Sequence, residues 1–376
     1  MKKKFLASLM AMVMVFGLAA CGSSTDATTT EGEDTATTEE GTTSGTGGKI
    51  GVSMPTQSLQ RWNQDGANMK AELEAAGYEV DLQYAGDNDI PTQVSQIENM
   101  IAGGCEVLVV AAIDGSSLTT ALQGAAEKNI PVIAYDRLIM DSDAVSYYAT
   151  FDNYKVGQMQ GEYIRDALDL DNAEGPFNIE LVTGAPDDNN VNYFFGGAMD
   201  VLQPYIDSGK LVVPSGQTEK AQCATANWST EESQKRFENI ISSVGYGPNG
   251  VKLDAVLCSN DSTSYGVQNA LQAAGYTADN MPIITGQDCD KPNVKNIVAG
   301  LQSMSVFKDT RTLAEKVVVM VDSIMKGTEP EINDTETYDN GTGVIPSYLC
   351  DPVIVTKDNY KEILIDSGYY TEADVA

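Results

Sequence analysis

The sequence predicts an α/β protein built from two doubly wound, parallel-sheet lobes. Three observations carry that expectation. Short apolar runs alternate with longer helical patterns, once before Asp152 and again after it. The run at 106–113, EVLVVAAI, is apolar at nearly every position, as a strand covered by helices on both faces must be. Polar side chains gather just after the strand runs, where open parallel sheets place their ligands.

The elements follow in order. Residues 49–54 read as a strand, 58–76 as a helix stopped at Gly77, 79–84 as a strand and 90–102 as a helix closed by Gly103 and Gly104. The buried strand at 106–113 comes next, then a helix at 116–128 and strands at 131–135 and 145–150. The rhythm restarts with a helix at 154–168, a strand at 177–183, a helix at 190–206 and a strand at 210–213. A helix at 229–243, a strand at 253–258, a helix at 262–274 and a strand at 281–285 complete the second series. The remainder, with a helix at 291–299, a strand at 302–306 and a helix at 309–326, is too short for a third domain. The expected division is therefore 49–152 plus about 289–328 in an N-terminal lobe, and 153–288 plus about 329–376 in a C-terminal lobe.

Ahead of the lobes, Lys2, Lys3 and Lys4 precede an apolar run from Phe5 to Gly17, too short for a membrane span, and then Leu18-Ala19-Ala20-Cys21. This is an export signal over 1–20 with a lipobox, resembling those of bacterial lipoproteins. Cys21 is the expected lipidated N-terminus, anchored to the outer face of the cell membrane. Residues 22–48 hold only Ser, Thr, Gly, Ala, Asp and Glu until Gly48, so 21–48 is expected to be a disordered tether.

Composition closes off several functions. The 376 residues carry 54 Asp and Glu against 23 Lys and Arg, a net charge of -31, which repels phosphate backbones and excludes nucleic-acid binding. The chain has no histidine, which removes the Ser-His-Asp and Cys-His nucleophile systems and His-ligated zinc. Of its six cysteines, the five after Cys21 stand at 105, 223, 258, 289 and 350 without C-x-x-C spacing, so no metal site is expected. Cys105 and Cys258 read as small hydrophobes, a bridge between Cys223 and Cys289 is conceivable, and the acidic stretch 169–175 reads as a solvated turn.

The residues after the strands suit a sugar. Arg61 and Trp62, Asp136 and Arg137, the 187–190 run DDNN, Asn260 and Asp261, Gln287 and Asp288, and Lys308 supply planar donors and acceptors for vicinal hydroxyls. The two tryptophans of the chain, Trp62 and Trp228, fall in such loops and could pack on the apolar face of a pyranose.

The segments YDRLI (135–139), SYYATFDNYKVG (146–157), GPFNIEL (175–181), PDDNN (186–190) and LQPYIDSGKLVV (202–213) resemble the periplasmic sugar-binding proteins of the xylose-binding and multiple-sugar-binding (chvE-type) family. So do SND (259–261), GQD (286–288), FKDTR (307–311), NDTETYDNG (333–341) and IPSYL (345–349), and the likeness spans 49–376. The resemblance implies a periplasmic-binding-protein type I fold, two lobes joined by a three-segment hinge. It implies a monomeric receptor, without cofactor, that closes around a monosaccharide of the xylose, glucose, galactose or arabinose class and delivers it to an ABC permease and its ATPase.

Carried over residue by residue, Arg61, Asp136, Arg137, Asn190, Asn260, Asp288 and Lys308 fall on sugar-contacting positions, and Trp62 and Trp228 on or near stacking aromatics. Arg137 is expected to orient Asp136, and Lys308 to donate from the first lobe. Phe195 stands where the xylose binder has a basic residue, Cys289 where alanine is usual, and 217–227 matches no family motif, which leaves the choice of sugar open. A sensor that presents sugar occupancy to a membrane kinase or chemoreceptor would share the pocket, and a binder of a furanosyl signal molecule would share the lobes. An enzyme of the carboxylate glycosidase kind would need Asp136 and Asp288 as its pair, yet Arg137 and Lys308 would hold both ionised. No catalysis is expected.

Overall fold

The computed structural model describes residues 47–375. The expected signal peptide, Cys21 and all of the tether but its last two residues lie outside that range. In chain order the elements are β1 (Lys49–Met54), α1 (Gln60–Ala75), β2 (Glu79–Tyr84), α2 (Ile90–Ala102), β3 (Val107–Val110), α3 (Thr119–Glu127), β4 (Val132–Tyr135) and β5 (Val145–Phe151). Then come α4 (Asn153–Ala167), β6 (Phe177–Val182), α5 (Asn190–Asp207), β7 (Leu211–Val212), the single turn α6 (Lys220–Cys223), α7 (Thr230–Val244), β8 (Ala255–Cys258), α8 (Asp261–Ala273) and β9 (Ile283–Ile284). The chain ends with α9 (Lys291–Ala299), β10 (Met304–Phe307), α10 (Thr310–Met325), β11 (Ser347–Cys350), β12 (Val353–Thr356) and α11 (Glu372–Val375).

Local chemistry accounts for the boundaries. The Asp89 carboxylate accepts from the Thr92 amide at 3.2 Å to start α2, Asp152 from Lys155 at 3.0 Å to start α4, and Asn260 from Thr263 at 3.0 Å to start α8. Helices α7 and α9 stop at Gly245 (φ 82) and Gly300 (φ 78), a left-handed turn that glycine takes without a steric cost.

The first lobe is a six-stranded sheet in the order β11-β5-β4-β3-β1-β2, and every pair in it is parallel. Its strands bury side chains on both faces, Val107 and Val109 toward one cluster and Leu108 and Val110 toward the other. The second lobe has the order β7-β6-β8-β9, all parallel.

The expected lobe division is corrected at two places. Residues 289–307 join the second lobe, because β10 lies beside the loop after β9: the Val306 amide donates to Gly286 O at 3.0 Å and the Asp288 amide to Val306 O at 2.8 Å. All four residues of β10 are buried, so it needs cover on both sides, and antiparallel β12 gives it a second neighbour. Residues 329–350 stay with the first lobe, since β11 pairs in parallel with β5. An alternation of strands and helices cannot say which sheet a late strand joins. The three crossings between lobes thus fall near 151–153, 307–309 and 350–353.

One close approach seats the helix that reaches the cleft. A Cβ on Gly157 would lie 2.1 Å from Phe194 O, and one on Gly197 would lie 2.2 Å from Tyr154 O. Glycine lets α4 and α5 touch backbone to backbone, and this fixes where α5 starts. The five described cysteines are all buried free thiols, so the bridge considered between Cys223 and Cys289 does not form. No described helix is long and apolar enough to cross a membrane.

Candidate functional site

All nine residues singled out in the sequence line one cleft between the lobes. Arg61, Trp62, Asp136, Arg137, Asn190, Trp228, Asn260, Asp288 and Lys308 share it with Leu59, Asp188, Phe194, Ser262, Gln287 and Asp290. The cleft encloses about 420 Å³ of space between the side chains, open solvent at its mouth included. All of the nine but Trp228, which comes after α6, lie beyond the carboxyl end of a strand: α1 begins after β1, Asp136 follows β4, Asn190 opens α5 beyond β6, Asn260 follows β8, Asp288 follows β9 and Lys308 follows β10.

Asp136 is the centre of the first lobe's contribution. It adopts a left-handed backbone conformation (φ 58), strained for a residue with a Cβ. Three donors hold it there, all on its carbonyl: the Tyr148 hydroxyl at 2.6 Å, the Asn190 side-chain amide at 2.7 Å and the Thr150 hydroxyl at 3.1 Å. Asn190 belongs to α5, so this bond also ties the lobes together. The Asp136 carboxylate stands 2.6 Å from Arg61 Nη2 and 3.8 Å from Lys308 Nζ. Burial alone would raise its pKa, but Arg61, Lys308 and Arg137 outweigh burial and hold it below the ordinary carboxylate value.

Arg61 is shared by three carboxylates, Asp65 at 3.0 Å, Asp136 at 2.6 Å and Asp288 at 3.5 Å. Lys308, buried on the second crossing, sits 3.1 Å from Asp288. It comes directly after β10, so it arrives from the hinge and not, as expected, from the first lobe proper. Asp288 lies in a second strained stretch, with φ of 95 at Asp288 and 53 at Cys289. That stretch is pinned by the Cys289 amide donating to Ser305 Oγ at 3.1 Å and by the Tyr370 hydroxyl donating to Cys289 O at 3.0 Å.

Arg137 does not orient Asp136. Its Nη1 donates to the carbonyls of Ala112 (3.0 Å) and Ile113 (3.2 Å), and its Nε faces Asp188 Oδ2 at 3.1 Å across the lobes. Arg61, placed by α1, makes the contact assigned to Arg137, at 2.6 Å from Asp136. Asp188 also accepts the Trp228 indole N–H at 3.1 Å. Burial pushes the Asp188 carboxyl up, with Arg137 opposing.

Trp228 lies across Gly184, where any Cβ would be 2.1 Å from its ring, and meets Phe194 edge to face at 6.2 Å. The guanidinium groups of Arg61 and Arg137 rest against Trp62 at 5.0 and 5.1 Å from its centroid, so Trp62 braces both arginines. Phe195 packs into the second lobe's core and does not line the cleft; its neighbour Phe194 does. The 217–227 segment ends in a tight turn, with Asn227 and Trp228 both at φ 56, that delivers the Trp228 ring.

Sequence reasoning named Asp188 and Gln287 only as members of polar loops, and missed Leu59, Phe194, Ser262 and Asp290 as lining residues. Asp188 and Gln287 stood inside loops already marked as polar. Phe194 falls one helical turn after Asn190, and Ser262 and Asp290 lie two residues after Asn260 and Asp288; those spacings were the available signal.

Two lobes on three crossings, with a polar, charge-balanced cleft at the strand ends, define a ligand-capturing receptor of the hinge-closing class. Residues 50–329 match the periplasmic binding protein domain. The chain belongs to that family. It is 52% identical to a multiple sugar-binding periplasmic protein of Azospirillum brasilense, over 86% of this chain and 90% of that one. It is 36% identical to the D-xylose-binding periplasmic protein of Escherichia coli, over 87% of this chain and 92% of the relative. Among solved structures, an ABC transporter solute-binding protein from Clostridium phytofermentans with bound β-D-glucose is 63% identical, with a TM-score of 0.84 covering 87% of this chain and 100% of that one.

Proposed function

We propose that this protein captures a monosaccharide in the aldopyranose form, of the glucose or xylose class, between its lobes and presents it to an ABC importer. One observation carries the reading. Gln287 Oε1 and Asp290 Oδ1 line the cleft sealed from bulk solvent without a hydrogen-bond partner in the protein, beside the ion-paired Arg61, Asp136, Asp288 and Lys308. Buried polar atoms are ordinarily paired, and the hydroxyls of a sugar ring, each donor and acceptor, suit both kinds. The β-D-glucose bound by the Clostridium phytofermentans relative and the D-xylose of the Escherichia coli one support the same class.

In this reading Asp136, Asp288 and Asn260 take up hydroxyls, Arg61, Arg137 and Lys308 donate, Asn190 joins the lobes beside the ring, and Trp228 lies against an apolar face. Binding energy goes into closure and no bond is broken. Cys21 carries the lipid that holds the protein at the outer face of the membrane, which the mass of the membrane-extracted N-terminal peptide would show. The test of the ligand class is a thermal-shift panel on ligand-free protein with D-glucose, D-xylose, D-galactose, L-arabinose and D-ribose. A raised midpoint with one or more aldopyranoses is expected; no shift with any of them contradicts the reading.

A further inference from the structure

Asp290 sits two residues beyond Asp288 and lines the same cleft. Its side-chain Oδ1 is sealed from solvent and has no hydrogen-bond partner in the protein. Among the described residues no basic side chain pairs with it. Arg61 is engaged by Asp65, Asp136 and Asp288, and Lys308 by Asp288 and Asp136. Three carboxylates already share two cations, so a further ionised acid would be unbalanced.

The groups around Asp290 come from every element packed on its loop. Arg61 faces it from α1, Asp261 from α8, Lys308 from the second crossing, and Asp288 and Cys289 from its own loop. Lys291 and Asp374, from α9 and α11, pair with each other at 2.5 Å, and Tyr370 donates to Cys289 O. Asp261 is tied to the same turn, since the Asp290 amide donates to Asp261 Oδ2 at 2.9 Å. Asp261 Oδ1 accepts from Gln302 Nε2 and from Ser305 Oγ, each at 2.9 Å. Asp290 Oδ1, with no donor on it, is best satisfied with a proton, whereas the three donors on Asp261 oppose the burial that raises it.

We propose that Asp290 is a further ligand-contacting residue, and that it meets a ring hydroxyl as a neutral carboxylic acid, O–H donating and C=O accepting. The inference rests on the sugar-binding reading above. Burial, then repulsion by Asp288, pushes the Asp290 carboxyl up to about 7, with Arg61 and Lys308 opposing. Burial, then Asp290, push Asp261 well above the ordinary carboxylate value too, so the two neighbours share a proton and do not readily ionise together. The sign follows: the binding form is protonated, present below about pH 7 and lost as pH rises through it.

The test is calorimetric titration with D-glucose from acid to alkaline pH on the wild type, Asp290→Asn and Asp290→Ala, each first shown to be folded by circular dichroism. An amide offers the same donor and acceptor as the acid without titrating. Wild-type affinity is expected to be flat at acid pH and to weaken by roughly tenfold per pH unit once the proton is lost. Asp290→Asn is expected to bind within about threefold of the wild type at acid pH with a flat profile, and Asp290→Ala at least about tenfold more weakly. The proposal is overturned if Asp290→Ala binds like the wild type at acid pH, or if affinity tightens with pH while Asp290→Asn binds as poorly as Asp290→Ala. If Asp290→Ala does not fold, the two remaining pH profiles decide. A wild type that binds no aldose at any pH removes the sugar reading itself, whereas binding without these differences removes only the role of Asp290.

Discussion

Asp288 holds its carboxylate in the cleft from a backbone conformation that costs about 1–3 kcal/mol, and Lys308 at 3.1 Å and Arg61 at 3.5 Å are the cations it answers to. Removing it leaves both cations short of a partner as well as the ligand. Asp288→Ala should therefore weaken sugar binding by about 2–4 kcal/mol, roughly 30- to 1000-fold. Calorimetric titration checks this, and an unchanged affinity would contradict the assignment. At this scale the polar loops after the strands were legible because planar polar groups are unusually many there, while the set of nine positions, the two tryptophans included, came from the family resemblance. The partnerships were not legible. Arg61 and Arg137 are the same residue type, and only the path of α1 beside β4 decides that Arg61 meets Asp136 while Arg137 turns to Asp188 and two carbonyls. Asp290 was illegible as a site residue because an acid at the start of a helix reads as a capping residue.

At the scale of elements, the strands and helices were readable nearly to their ends, since apolar runs and glycine or capping signals mark them. Elements without such marks were missed. Strand β11 opens with the mixed run IPSYL, β12 is a half-exposed edge, and neither shows a clear period. Lobe membership was misjudged for the same reason: strand order is a property of the sheet, and β10 reaches its sheet only by pairing with the loop after β9. Helices α4 and α5 give an element-scale test. Gly197→Val would push a side chain into Tyr154 O, 2.2 Å from the Cβ position, and should lower stability by about 1–3 kcal/mol. Urea unfolding followed by circular dichroism should show a lower midpoint at an unchanged slope; an unmoved midpoint would mean that the helices have room to separate.

For the whole molecule, the net charge of -31 repels polyanions, while the cleft gathers three of the chain's 23 basic residues against its acids. A neutral, hydroxyl-rich ligand fits that balance better than an anion or a cation of comparable size. The cleft draws from both lobes and from the second crossing, so the site is complete only when the lobes are together, as the Asn190 bond to Asp136 O and the Asp188 pair with Arg137 hold them. Closure and binding are then one event.

The most direct measurement is a crystal structure of the protein grown with saturating D-glucose. The account expects one pyranose ring between the lobes, its hydroxyls on Asp136 and Arg61 from one side and on Asn260 and Asp288 from the other, with Trp228 against its face. A cleft free of sugar under those conditions, or a ring bound elsewhere on the molecule, would contradict it.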